Sequence, residues 1–525
     1  MKNKTCTHAS SLTVFAPRSF PLETSASGLA RWLVASAAAL LFCCPPSTPA
    51  QTWNLGAGGS WATAANWTPA TVPNAIGAAV VFESATAART VTTDSGTAGF
   101  TVGSISNDIA GSFANSFTTG TAGSKLILNN GGAGVKITTT GSGTGNNTFS
   151  VPLVFSDSVT GIVIQTSQSS AAGSLNITAT VTGTGGFTKE GLGLATFGTG
   201  TKTYSGPTVL NVGRMRISNA AHPTATSGLT INTGGQLELI TAGTYTFGSN
   251  PVNLNGAGPT SGPYAQFPGA IRPTTGLVQG IANAIVLQSD SLIHVQGAGT
   301  ATLTLSGTVS GPGKLNLGSI PHDANLGTLV ISGANTYSGG TVVDGGTLDV
   351  SGASATLGTG DVTVHSANLV FANAVAVLKI ESGVANAIAN SATLSLAGGN
   401  AAGVADDGYA DLGTGVNEVV GNLVLGGVPQ APGTYGSTAS TATFQNDEYF
   451  AGAGIVTVRP VLTITRAEPN IVVSWSTNLP GLQLQSVGAL GTTWADDNTM
   501  VVVSGINNTV TEPIASTNKF FRLRN

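Results

Sequence analysis

The chain writes one phrase twice. Lys202 to Asn219 reads KTYSGPTVLNVGRMRISN, and Asn335 to Gly352 reads NTYSGGTVVDGGTLDVSG. Laid over each other, they place Tyr204-Ser205-Gly206 on Tyr337-Ser338-Gly339, a shift of 133 residues. The shift continues through Thr208 with Thr341, Val209 with Val342, Gly213 with Gly346, Met215 with Leu348 and Ile217 with Val350. Upstream it is 128 residues: Leu175, Ile177, Val181 and Gly183 meet Leu303, Leu305, Val309 and Gly311. The difference of five fits the extra SIPHDAN, Ser319 to Asn325, read as a loop. A long internal repeat is the mark of a repetitive architecture.

Within one copy, period two assigns the faces, because neighbouring strand residues point to opposite sides. Met215, Ile217, Leu348 and Val350 are expected to point inward. Arg214, Arg216, Thr347 and Asp349 are expected to point outward. Chemistry is kept between the copies where it faces in and varies where it faces out, which fits packing better than ligand reading. Gly345-Gly346 lets the chain turn with positive φ. Tandem short strands without helices between them suggest a solenoid of coils, each burying its inner face on the next, with stacked strands paired in parallel. An antiparallel sandwich or barrel is the rival. VDGGTL can be read as its two-residue hairpin, so pattern alone leaves both open.

Composition supports many short strands. Only 8% of the 525 residues are charged and 72 are Gly. Val, Ile, Leu and Thr recur between Gly, Asn and Ser clusters, and their alternation argues against Gly-rich disorder. The first 50 residues differ. Lys2, Lys4, Arg18 and Arg31 precede WLVASAAALLFCC, Trp32 to Cys44, and PPSTPA ends at Ala50. A basic start, a short apolar core and small residues before the cut form a secretory signal peptide. Cleavage is expected after Ala50, leaving no stable transmembrane segment in the mature chain. Cys6, Cys43 and Cys44 all lie in this leader. The mature chain is thus expected to hold no disulfide framework and no Cys-based metal site. Removing four of the 19 basic and one of the 23 acidic residues leaves 15 and 22, a net charge of −7. No basic patch for nucleic acid remains.

SGANTYSGGTVVDGGTLDV, Ser332 to Val350, resembles the autotransporter-associated β-strand repeat of exported bacterial proteins. So do LSGTVSGPGKL, Leu305 to Leu315, and GGFTKEGLGLATF, Gly185 to Phe197. WNLGAGGSWATAANWTPATVPN, Trp53 to Asn74, is similar to the usual start of such proteins, and Gly415 to Val458 to their usual end. The resemblance implies an all-β, right-handed parallel β-helix of pectin-lyase-like shape, exposed outside the cell, over residues 51–458, with an N-terminal cap and first coils at 51–110. It carries no catalytic residues over. Arg214-Met215-Arg216 departs from the small residues of the family. An autotransporter barrel of membrane strands does not fit after Val458. Residues 461–525 read as a small antiparallel β-sandwich-like module with Trp475 and Trp494 in its core.

No catalytic centre is legible. Asp406-Asp407, Asp447-Glu448 and Asp496-Asp497 are adjacent pairs. Neighbours on a strand diverge, so these suit solvated turns rather than paired carboxylate chemistry. His222, His294, His322 and His365 are scattered without metal spacing and read as surface or loop residues. No cofactor is implied. Trp53, Trp61 and Trp67 pose the one binding question. Their faces can stack on a sugar, or they can plug the open end of a solenoid, which needs a cap against edge pairing; the cap is the favoured reading. The expectation is an exported, non-catalytic surface or matrix protein that adheres to extracellular polysaccharide or other surface proteins. The rival readings are a polysaccharide lyase or hydrolase on the same shape, and a carbohydrate-binding module carried on a solenoid.

Overall fold

The computed structural model describes residues 49–83, 86–108, 113–140, 145–157, 162–166, 174–297, 300–318, 326–367, 374–459, 462–477, 481–505, 507–515 and 517–524. The leader and the 319–325 loop lie outside the described residues, and so does His322. The described chain has strands and short 3-10 turns, and no α-helix.

Almost every strand up to Val458 pairs in parallel with the equivalent strand of the next coil, which resolves the solenoid in favour of stacking over hairpins. One ladder runs Ile105, Ile137, Ile164, Lys189, Leu210, Ile231, Leu254 and Leu287 in register. A second runs Phe117, Phe149, Ile177, Phe197, Ile217 and Leu239. A third carries Tyr245, Ile281, Leu305, Ile331, Val350, Ile380 and Leu412. Parallel in-register stacking puts like upon like, so Phe117 lies on Phe149 with ring centroids 4.4 Å apart. The inward residues fuse into one hydrophobic core from Trp53 to Val458. Coils differ in length, 19 residues from Ile331 to Val350 and 36 from Tyr245 to Ile281. The extra residues leave as loops, and the register of the inner face is kept. This is why the repeat is read best at its strands.

The duplicated phrases occupy equivalent places. Leu194–Phe197 pairs with Gly213–Ile217 exactly one coil later in the first copy, as Thr328–Ile331 pairs with Gly346–Val350 in the second. Met215, Ile217, Leu348 and Val350 are fully buried, as the alternation requires.

Antiparallel pairs occur at both ends of the stack. Gln51–Trp53 pairs in parallel with Ala79–Phe82 and antiparallel with Trp67–Thr68. At the far end Val428–Pro429 turns back on Asn422–Leu425, and Gly433–Gly436 runs antiparallel to Ile455–Val458. A chain that reverses at an open coil edge occupies hydrogen-bonding groups that another chain would otherwise find.

The C-terminal module has its own small core of Val473, Trp475, Leu484 and Val510. Two antiparallel sheets build it, Thr463–Ala467, Asn470–Ser476, Asn507–Pro513 and Val502–Ser504 in one, and Ala495–Asp496, Gln483–Val487 and Phe520–Arg524 in the other. Trp475 is 3% exposed. Trp494 is not in that core. It is half-buried, and the Arg522 guanidinium sits over its ring at 4.6 Å. A polar partner on one ring face holds an indole at the rim, where water reaches the charge.

Candidate functional site

The three N-terminal tryptophans are core, not contact surface. Trp53, Trp61 and Trp67 are 3%, 0% and 1% exposed. They pack edge to face, Trp53 to Trp67 at 4.9 Å and Trp61 to Trp67 at 4.8 Å, over Phe82 and Phe100. Their indole N–H groups donate inside the fold, Trp61 to Pro73 O at 3.1 Å and Trp67 to Trp61 O at 2.8 Å. Stacking on a sugar needs an exposed ring face, so the expected carbohydrate contact is withdrawn for all three.

Arg214 is also corrected. It was placed outside, and its side chain does leave the outer face of Gly213–Ile217, yet it is only 4% exposed. The segment between Val252–Gly256 and Ile271–Pro273 folds across that face and roofs it. Tyr264 lies 4.2 Å and Phe267 5.1 Å from the guanidinium. Beneath this roof Glu238 accepts from Arg214 at 3.3 Å and from Arg216 at 2.6 Å, and Gln236 accepts from Arg214 Nε at 2.6 Å. Burial pushes the Arg214 guanidinium down to about 10, against the pull of Glu238. Arg216 stays 38% exposed. Asp349 is half-buried rather than free, 3.8 Å from Lys379.

The acidic pairs act as backbone caps. Asp407 is buried, not solvated; it accepts from Ala376 N at 2.6 Å and Ser366 Oγ at 2.9 Å. Asp447 accepts from the Thr438 N–H and hydroxyl, both at 2.7 Å, and Glu448 from Gly403 N at 2.8 Å. Asp497 is buried and 3.1 Å from Lys519. Two acceptors that sequence reasoning missed do the same work. Glu418, fully buried, takes the N–H groups of Ala387 and Ile388, both at 2.9 Å, and Asp157 takes those of Asn130 and Gly134 at 3.1 and 3.2 Å. Loops between coils leave N–H groups without strand partners, and a buried acceptor supplies them. Of the histidines, His294 is buried, contrary to a surface reading, while His365 is exposed and 2.6 Å from Asp344, whose hydrogen bond raises its pKa. Among the described residues no three His, Cys, Asp or Glu side chains gather to hold a metal ion, and no helix is long and apolar enough to cross a membrane.

Two buried lysines were not foreseen. Lys189 occupies an inward position between Ile164 and Leu210, where its neighbours are aliphatic. Its ammonium donates to Glu190 O at 2.7 Å, Gly191 O at 2.6 Å and Val212 O at 3.1 Å. Lys202 donates to Ala179 O at 2.9 Å and to Gly200 O, 5.2 Å from the Phe197 ring centre. Burial pushes both down to about 7.

What remains for contact is the outer face of the sheets, and there the stacking orders the side chains. One outward row reads Thr90, Ser116, Thr148, Asn176 and Thr196, each in register with the next. Another reads Thr302, Thr328 and Thr347, and beside it Thr244, Gly280, Thr304 and Val330. Such rows offer hydroxyl and amide groups at the spacing of adjacent strands, about 4.8 Å, on a rigid frame.

The coil geometry meets known sequences at the duplicated phrases. The passenger-associated-transport-repeat family matches residues 187–217 and 324–350. The chain carries autotransporter-associated repeats. Each matched stretch closes one coil of the solenoid, beginning on a strand and ending on the strand stacked above it. A relative containing such sequence is the Adhesin BmaC autotransporter of Brucella suis biovar 1 (strain 1330), 32% identical over 160 residues, which is 30% of this chain and 4% of that protein. The chain therefore spans a small fraction of the length of that relative. No solved structure matches.

Proposed function

We propose that this chain is an exported cell-surface or matrix protein whose repeat solenoid makes adhesive contacts with extracellular polysaccharide or with other surface proteins, without turning a substrate over. The observation that carries the reading is the set of uncharged outward rows, Thr90 to Thr196 and Thr302 to Thr347, repeated coil after coil. Single hydroxyl contacts with a hydrated polymer are weak, but many on one rod add through multivalency. The similarity of 160 residues to a protein named an adhesin agrees with this use of the repeats. The carboxylates of the candidate pairs are committed to backbone N–H groups and to Lys519, which favours the binding reading over a lyase or hydrolase. Export rests on the basic and apolar leader, with Gln51 as the expected first residue of the mature chain and residues 461–525 as a docking or anchoring module.

The test is display of the chain on a bacterial surface, followed by counting of cells retained on polysaccharide-coated and protein-coated plates. Retention above that of bare cells is expected, with no reducing or unsaturated ends released from the polysaccharides. Bare-level retention on every coating defeats the adhesive reading, and measured product release defeats the non-catalytic one. Mass spectrometry of the exported chain checks Gln51. Deletion of 461–525 is expected to leave the solenoid folded and to lower its retention at the cell.

A further inference from the structure

Gly280 sits in the interior of the strand Val278–Ile281, paired on one side to Thr244 and on the other to Thr304. Glycine in a strand interior weakens it, and it is kept where the backbone needs positive φ, where a neighbour leaves no room, or where a ligand approaches closely. The strand glycines described fall under the first two reasons with one exception. Gly183, Gly213, Gly243, Gly256, Gly346, Gly433 and Gly452 have positive φ. A Cβ on Gly59, Gly235 or Gly436 would meet a neighbouring atom at 2.8 Å or less. Gly280 has no positive φ, and a Cβ there would stand 3.4 Å from Thr244 Oγ1 and Thr304 O, ordinary contact. Neither backbone nor packing asks for glycine here.

The missing side chain makes a notch. Gly280 is the buried floor of a depression of about 250 Å³ on the outer face, lined also by Gly243, Thr244, Val278, Gln279, Thr304 and Ser306. Thr244 and Ser306 are exposed and Thr304 is half-exposed, so hydroxyls stand on both sides of the floor. Val278, 65% exposed, supplies an apolar wall. No charged side chain lines it. The volume is below the roughly 300–1,000 Å³ of pockets that enclose a whole small molecule, so one ring of a longer polymer is the scale that fits.

We infer that this notch is a subsite for one neutral sugar ring of a polysaccharide. The inference rests on the adhesive reading above and names its partner. A pyranose has an apolar C–H face and a rim of hydroxyls. The face meets Val278 and the Gly280 backbone, and the rim meets Thr244, Thr304 and Ser306. An anionic sugar has no cation to meet here. Binding at one notch is weak, and chains displayed together raise it by avidity.

Affinity electrophoresis of the purified full chain through gels containing dextran, laminarin, mannan or polygalacturonate tests this. Retardation by at least one neutral polymer and none by polygalacturonate is expected. Gly280→Leu fills the notch from a position with room for a Cβ and lowers the affinity by about tenfold or more, the scale of one lost ring contact. Thr304→Val, of equal size, lowers it severalfold. Both variants are expected to keep the wild-type melting temperature. Absence of retardation by every neutral polymer, preference for polygalacturonate, or retardation that both variants leave unchanged overturns the proposal. So does a self-association in sedimentation velocity that Gly280→Leu abolishes, because the occupant is then a second copy. Displayed cells distinguish the two levels: retention that Gly280→Leu does not alter removes the notch and leaves adhesion standing.

Discussion

The hydroxyl of Tyr337 lies 2.7 Å from Thr341 Oγ1, and both side chains are buried. In the other copy Tyr204 and Thr208 repeat the pair at the same 2.7 Å. The phrase TYSG-x-T is thus one turn written around an internal hydrogen bond. The aromatic ring fills the coil at its corner, and the threonine opening the next strand takes the phenol that burial would otherwise leave unpaired. Burial pushes both phenols well above their usual range.

Tyr337→Phe keeps the ring and strands Thr341 Oγ1. A loss of about 1–3 kcal/mol is expected, the cost of a buried group without its partner. Adding Thr341→Val removes the stranded hydroxyl and recovers part of that loss. Urea unfolding of the two single variants and the double one measures the coupling; strictly additive losses would mean the bond contributes nothing of its own.

Inward and outward positions of one strand are expected to differ sharply. Leu348 is fully buried, so Leu348→Asp places an unpaired charge in the core and costs several kcal/mol, on the order of other buried polar insertions. Arg216 is 38% exposed, and Arg216→Ser costs about 1 kcal/mol or less, as for other partly exposed ion pairs. Arg214→Ser falls between them, because it removes packing against Tyr264 as well as a partner of Glu238. Thermal unfolding of the three variants orders them, and equal shifts for Leu348→Asp and Arg216→Ser would reverse the assigned faces.

Alkaline pH is expected to stabilise the solenoid. Unfolded lysines hold their protons to about pH 10.4, whereas burial pushes Lys189 and Lys202 down to about 7. Below about pH 7 both states are protonated and the cost of burying two ammonium groups is fully present. Between there and pH 10 the unfolded chain binds more protons, so stability rises with pH. The urea midpoint at pH 9 should exceed that at pH 7. Lys189→Met with Lys202→Met should flatten the slope, and a slope the double variant keeps would place its origin elsewhere.

The C-terminal module is expected to weaken in acid. Lys519 holds Asp497 at 3.1 Å and Glu512 at 2.9 Å, one from each sheet. Burial raises the Asp497 carboxyl, but hydrogen bonds from Thr499 and Lys519 outweigh it and bring it to about 2. Its folded pKa lies below the unfolded value near 3.9, so its stabilisation is full above pH 4 and is lost as pH falls toward 2. Tryptophan fluorescence of Trp475 and Trp494 during acid titration reads the loss. Lys519→Met should begin it at higher pH; an unchanged titration would mean the lysine does not hold the sheets.

Local pattern alone sufficed for the strands, their inward residues and the equivalence of the two copies. Alternation is a property of neighbouring residues, and each coil stacks on a near copy of itself, so what a strand needs inside is written within the strand. The repeats also carried the likeness to exported proteins. Contacts between coils of unlike sequence were decided only by the tertiary structure. Arg214 reads as exposed because the rings that cover it, Tyr264 and Phe267, belong to a later coil that has no counterpart in the other copy. Asp407 and Glu418 read as turn carboxylates because the N–H groups they cap lie about 30 residues away, at Ala376, Ala387 and Ile388. Trp53, Trp61 and Trp67 could stack on a ligand or plug a coil end, and a ring's own sequence neighbours do not say which. The notch at Gly280 was invisible for the same reason: it is a missing side chain between Thr244 and Thr304, and only stacking brings those two residues to either side of it.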